Sequence, residues 1–119
     1  MEYQKDHVLR IIEQMGAALR DASRRFSEGA PADESIEATN EAIGLVVELP
    51  PEVFLQMSPQ SMVSLLEMFA SDDRVYSNVA NALLLQAEVL QAEGSLIEAG
   101  VRREQAAAVL DFIDPSRAN

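Results

Sequence analysis

His7 is the chain's single histidine. A metal site or a nucleophile–base array built on it needs further ligands or partners close by. Its neighbours Lys5 and Asp6 point to different sides of a helix. His7 lies one turn before Ile11, at the edge of an apolar stripe, and reads as a structural residue, packed or exposed. The chain has no cysteine, which excludes a thiol nucleophile, a disulfide framework and every cysteine-ligated metal or cluster. Carboxylates are plentiful. Asp72-Asp73 are placed to cap a helix, and Glu34, Glu37 and Glu41 share one helix face at i, i+3 and i+7 that reads as solvated surface. A hard divalent cation needs several converging oxygens, which this pattern does not specify. No glycine-rich phosphate loop, zinc spacing or nucleophile elbow is present. The sequence therefore offers no catalytic, cofactor-binding or metal-binding residues, and the expectation is a protein that is not an enzyme.

The polar residues that remain suit binding. Arg20, Arg24 and Arg25 form the one basic cluster, with Arg20 and Arg24 neighbours at i, i+4. Their nearest acids, Asp21 and Glu28, can neutralise them; otherwise they make a patch for an anion or an acidic partner. Asn78 and Asn81 are placed to line a polar groove. These five residues are the candidate partner-binding set. Met15, Met57, Met62 and Met68 fall at expected buried or turn positions and read as core filler.

These side chains must be positioned by helices. Val8, Ile11, Ile12, Met15, Leu19, Ala22 and Phe26 recur at steps of three and four, one stripe of a long amphipathic helix that stops at Gly29-Ala30-Pro31. A second helix is predicted from about Asp33 to Glu48. Asp33 or Ser35 is its cap, Ile36, Ile43, Val46 and Val47 its apolar side, and Pro50-Pro51 its end. Glu52 to Met57 forms one turn. A short third helix over 58–70 opens with a capping Ser58 and Pro59 in the first helical position, and buries Met62, Val63, Leu65, Leu66 and Phe69. The fourth helix begins at Ser71-Asp72-Asp73, carries Tyr76, Val79, Ala80, Leu83, Ala87 and Leu90, and ends at Gly94. The fifth starts with the capping box Ser95-Leu96-Ile97-Glu98, places Ile97, Val101, Val109, Leu110 and Ile113 on its apolar side, and ends at Asp114-Pro115. No strand pattern occurs. The expectation is a single all-α domain over 1–119, with five helices. Two antiparallel hairpins, 2–48 and 72–113, are joined by the short helix 58–70.

Composition fits this layout. The chain has 119 residues, 48% of them hydrophobic, enough for one domain with its own core. Net charge is -11, and residues 26–101 hold thirteen acids against Arg74 alone. Phosphate neutralisation needs the opposite sign, so nucleic acid is not an expected partner. An acidic surface solubilises the chain and favours a basic partner. The polar start and the short apolar runs predict neither a signal peptide nor a membrane span, so a reducing cytoplasm is the expected compartment.

Ala80 to Asp111 resembles one tetratricopeptide repeat, a helical hairpin of about 34 residues. Ala87 matches the small residue of the motif's first helix, Gly94 its turn glycine and Glu98-Ala99 its acidic-alanine pair, and Ala106 follows seven residues later. Gln86 stands where leucine is usual and Arg103 where a large apolar residue is usual. The opening Asp6-His7-Val8-Leu9-Arg10-Ile11-Ile12-Glu13 resembles the first helix of an uncharacterised family of small bacterial proteins, which implies no activity. The repeat resemblance implies an interaction module for a protein or peptide. The competing class is an enzyme or small-ligand binder with an unfamiliar site between helices. Repeat stacks normally need about three units, so a chain with two is also expected to pair as a homodimer.

Overall fold

Among the described residues the most extensive buried face belongs to the helix over Asp73–Ala92, against which three other helices pack. The computed structural model describes residues 2–70 and 72–113, with side chains from residue 6 onward. Their helices are α1 (Glu2–Ser27), α2 (Ala32–Gly44), α3 (Pro51–Leu55), α4 (Pro59–Phe69), α5 (Asp73–Ala92) and α6 (Leu96–Ile113). The fold is all-helical, with six helices where five were expected. α5 packs against α1, α2 and α6, α1 against α2, and α4 against α6.

Local chemistry explains the helix ends. α1 follows its predicted stripe: Met15 and Ala22 are buried, and Val8, Ile11, Ile12 and Leu19 pack on the core from partly buried positions. It stops at Gly29, whose φ of 81° is open to glycine at little cost. The Gly29 amide donates to Phe26 O and the Ala30 amide to Arg25 O, which together satisfy the last carbonyls. Gly94, at φ 85°, repeats this pairing at the end of α5, with Gly94 N–H donating to Gln91 O and Ser95 N–H to Leu90 O. Ser58 Oγ accepts from the Ser61 amide at 3.2 Å and Pro59 occupies the first position of α4, as expected. Asp72 caps α5 by accepting from the Arg74 amide at 2.8 Å. Ser71 and Asp114-Pro115, read as the start of one helix and the end of another, lie outside the described residues.

Several expectations need correction. α2 ends at Gly44 instead of Glu48, and its cap is Pro31 with no side-chain bond, in place of Asp33 or Ser35. After Gly44 the chain tightens: the Val46 and Val47 amides both donate to Ile43 O, and this turn carries both valines into the core. Pro50-Pro51, read as a stop, is also a start. Proline at the first helical position has no N–H to leave unpaired, so Pro51 opens α3, the additional helix, which buries Phe54 and Leu55. Ser95 and Glu98 make no capping box among the described hydrogen bonds; the Ala99 amide donates to Ser95 O instead. The buried face of α6 is Ala99, Gln105, Ala106 and Val109. Ile97 is 87% exposed, and Val101 and Leu110 also face outward. α6 is apolar on more than one side, so period alone does not choose a face. Ala99 and Ala106 choose it, because small side chains let α6 approach α5 closely. Met68, assigned to the core, is 78% exposed.

The core joins Met15, Ile43, Phe54, Met62, Leu66, Val79, Leu83 and Val109 from all six helices. Tyr76 closes one side, its ring edge-on to Phe112 at 5.2 Å and its hydroxyl donating to Ala70 O.

Candidate functional site

α1 and α5 run in the same direction. Asn78 Nδ2 donates to Ile12 O at 3.4 Å near one end, and Ala22 packs with Leu85 towards the other. Side chains at three- and four-residue steps on the two helices face each other across an open groove of about 710 Å³. Gly16, Leu19, Arg20 and Ser23 come from α1, and Asn78, Asn81, Leu84, Leu85 and Glu88 from α5, with Arg103 of α6 at its margin. Gly16 has a specific effect here: a Cβ at this position would stand 3.3 Å from Arg20 Nη1, so the guanidinium lies back along the helix over the glycine. Arg103 Nη2 donates to Gln91 Oε1.

The structure brings three of the five sequence-predicted residues together in this groove: Arg20, Asn78 and Asn81. Arg24 and Arg25 lie elsewhere. Arg24 pairs with Asp21 at 2.5 Å and Glu28 at 3.0 Å, and Arg25 with Asp21 at 2.9 Å and Glu34 at 3.9 Å. The hydrogen bond from Arg24, with both guanidinium charges, holds the Asp21 carboxyl below the usual carboxylate range. Neutralisation by local acids is thus what these two arginines do. Gly16 and Ser23 carry no signal in the sequence, and Leu19 and Arg103 stand out there only as a stripe residue and a departure from the repeat pattern; their facing positions identify all four as groove residues.

A second polar constellation was missed. Gln86, Thr39 and Gln105 are buried, and with Asn40 and the half-buried Arg102 they form one network. Gln86 Nε2 donates to Thr39 Oγ1 at 2.8 Å and to Asn40 Oδ1 at 2.7 Å. Arg102 Nε donates to Gln86 Oε1 at 3.0 Å, and its Nη1 to Leu55 O at 3.2 Å and Gln105 Oε1 at 3.1 Å. Gln105 Nε2 donates to Leu55 O at 2.9 Å and Met57 O at 3.0 Å. Burial pushes the Arg102 pKa down from its ordinary value. The amide groups of Gln86 and Gln105 are already engaged, so this cluster is a clamp. It satisfies the carbonyls at the end of α3 and ties that helix to α5 and α6. The available signal was Gln86 itself, a polar residue inside the apolar stripe of α5.

His7 is exposed, as are Glu34, Glu37 and Glu41. Among the described residues, no group of three or more acidic, histidine or cysteine side chains could hold a metal ion. No described helix is long and apolar enough to cross a membrane. No family model matches this chain, and no significant match was found among curated proteins or solved structures.

Proposed function

We propose that this chain is a protein-interaction module of the helical-repeat type, without catalysis of its own, and that the α1/α5 groove receives a segment of a partner protein. The observation that carries this reading is the groove: an open trough built on two rigid helices, with Arg20, Asn78 and Asn81 presented beside exposed Leu84. α1–α2 and α5–α6 are read as two repeat hairpins. That reading is supported by the parallel course of α1 and α5, the left-handed Gly94 turn, and the burial of Ala87, Ala99 and Ala106 at the helix contacts. Repeat hairpins build extended surfaces for partners. Net charge of -11 argues against nucleic acid, and the cysteine-free sequence suits a reducing cytoplasm.

The alternative is a small-ligand binder. Its supporting observation is the groove's size, which falls within the roughly 300–1,000 Å³ of ligand pockets. The open form of the groove favours the protein partner. Homodimerisation is a further part of the reading, supported by the outward apolar side chains of α6: Leu96, Ile97, Val101 and Leu110.

The test compares the wild-type chain with Asn81→Trp, which fills the groove from an exposed position. Proteins captured from the native cell by wild type and lost with Asn81→Trp are the expected result. Capture unaffected by the tryptophan, or a metabolite co-purifying with wild type alone, would overturn it.

A further inference from the structure

We infer that the groove takes an acidic segment with an apolar centre from a partner protein; this rests on the reading of the groove as the binding surface. The chain as a whole is strongly acidic, which on average favours a basic ligand. The groove carries the opposite local sign. Its ionisable side chains are Arg20, Arg103 and Glu88, an excess of one positive charge. Arg24, Arg25 and Arg74 are neutralised by acids, and Arg102 is engaged in the buried clamp. Arg20 and Arg103 pair with no carboxylate among the described residues. Gly16 leaves room for the Arg20 guanidinium to lie over the α1 wall of the groove. Arg103 gives one nitrogen to Gln91, leaving Nε and Nη1 for a ligand.

The surface between the charges sets the rest of the ligand. Leu84, 37% exposed, offers an apolar seat on the α5 wall of the groove that Arg20, Arg103, Asn78 and Asn81 also line. From Asn78 to Glu88 the groove runs ten residues along α5, about 15 Å at ~1.5 Å per residue. That length accepts about five residues of extended chain at ~3.3 Å each, or about three turns of helix. The matching segment has an apolar residue seated on Leu84 and carboxylates that meet Arg20 and Arg103. Glu88 is the unfavourable element for this ligand, and removing its charge strengthens binding. A basic segment meets two arginines for one glutamate and is disfavoured.

The experiment is selection of a random peptide library displayed on phage against the full-length chain. Selected peptides are then synthesised and their affinities measured by fluorescence anisotropy. The expected result is enrichment of acidic sequences with an apolar centre, whose binding weakens about thirtyfold in the Arg20→Glu, Arg103→Glu double variant. Binding strengthens a few-fold in Glu88→Gln and falls as salt shortens the screening length from ~10 Å to ~3 Å. All three positions are exposed, and circular dichroism confirms the fold of each variant. Basic or neutral peptides that lose binding to Asn81→Trp would leave the groove as the site and overturn its acidic ligand. Peptides insensitive to Asn81→Trp, or no enrichment, would overturn both.

Discussion

Arg102→Met removes the cation from the buried clamp while keeping its apolar stem. The wild-type guanidinium makes three hydrogen bonds, to Gln86 Oε1, Leu55 O and Gln105 Oε1. Leu55 O keeps its second donor, Gln105 Nε2, and stays satisfied. Gln86 Oε1 and Gln105 Oε1 lose their partner. Each orphaned buried acceptor costs about 1–3 kcal/mol, and Arg102 is half-buried, so water reaching its vacated edge offsets part of this. The expected net loss is about 2–4 kcal/mol. With an m-value of about 1–3 kcal/mol per molar urea, the unfolding midpoint drops by about 0.7 M or more while the slope is unchanged. Gln86→Leu, which installs the leucine usual at this repeat position, leaves Arg102 Nε, Asn40 Oδ1 and Thr39 Oγ1 without their Gln86 partner and costs about 1–3 kcal/mol. The decisive quantity is the coupling. Removing both members of a hydrogen-bonded pair is nearly neutral relative to removing one, so the double variant loses at least about 1 kcal/mol less than the two single losses added together. Urea unfolding followed by far-ultraviolet circular dichroism measures all four proteins. Strict additivity, or an Arg102→Met loss within ~0.5 kcal/mol of zero, the range of an unremarkable surface change, would refute the clamp.

Gly94→Ala places a Cβ at φ 85° with no neighbour within 4 Å, so backbone strain alone is expected to cost about 1 kcal/mol in urea unfolding. Ser58→Ala loses the α4 cap and about 1 kcal/mol, whereas Ser95→Ala, which breaks no described side-chain bond, should stay within ~0.5 kcal/mol of wild type in the same assay. Side-chain and backbone hydrogen bonds from Arg74 hold the Asp72 pKa below its ordinary value. Its stabilising contribution is therefore present above the unfolded-state value of about 4 and lost as pH falls through the lower folded-state value. Thermal unfolding at pH values from 7 downward should show wild type losing this increment below about pH 4, and Asp72→Asn lacking that part of the decline.

The legible parts of the fold are those in which one local rule acts alone. The α1 stripe, the Ser58-Pro59 start of α4 and the left-handed Gly94 turn follow from period, capping chemistry and the lack of a Cβ. α2 was overextended because Val46 and Val47 are apolar at helical spacing, while their burial comes from a turn after Gly44. α6 is apolar on several sides, so its apolar residues mix the core face (Val109, Ile113) with the outward side (Ile97, Val101, Leu110). The small residues Ala99 and Ala106, facing α5, settle the orientation. The groove was legible in fragments. Arg20 stands out in the sequence as part of a basic cluster, and Asn78 and Asn81 as polar positions on a mostly apolar helix; Arg24 and Arg25 share that cluster, but their acids already hold them. Nothing local marks Ser23, and the departure of Arg103 from the repeat pattern does not point to a groove, since their shared setting exists only after three helices pack together.

The central claim is that the α1/α5 groove is where this chain meets a partner protein. A photo-crosslinking amino acid at Ser23, on the groove wall, tests it in the living native cell against the same group at Glu41, on the exposed face of α2. The account predicts a discrete protein adduct from Ser23 that Asn81→Trp abolishes, and no such adduct from Glu41. Adducts from Glu41 alone, or a Ser23 adduct indifferent to Asn81→Trp, would contradict it.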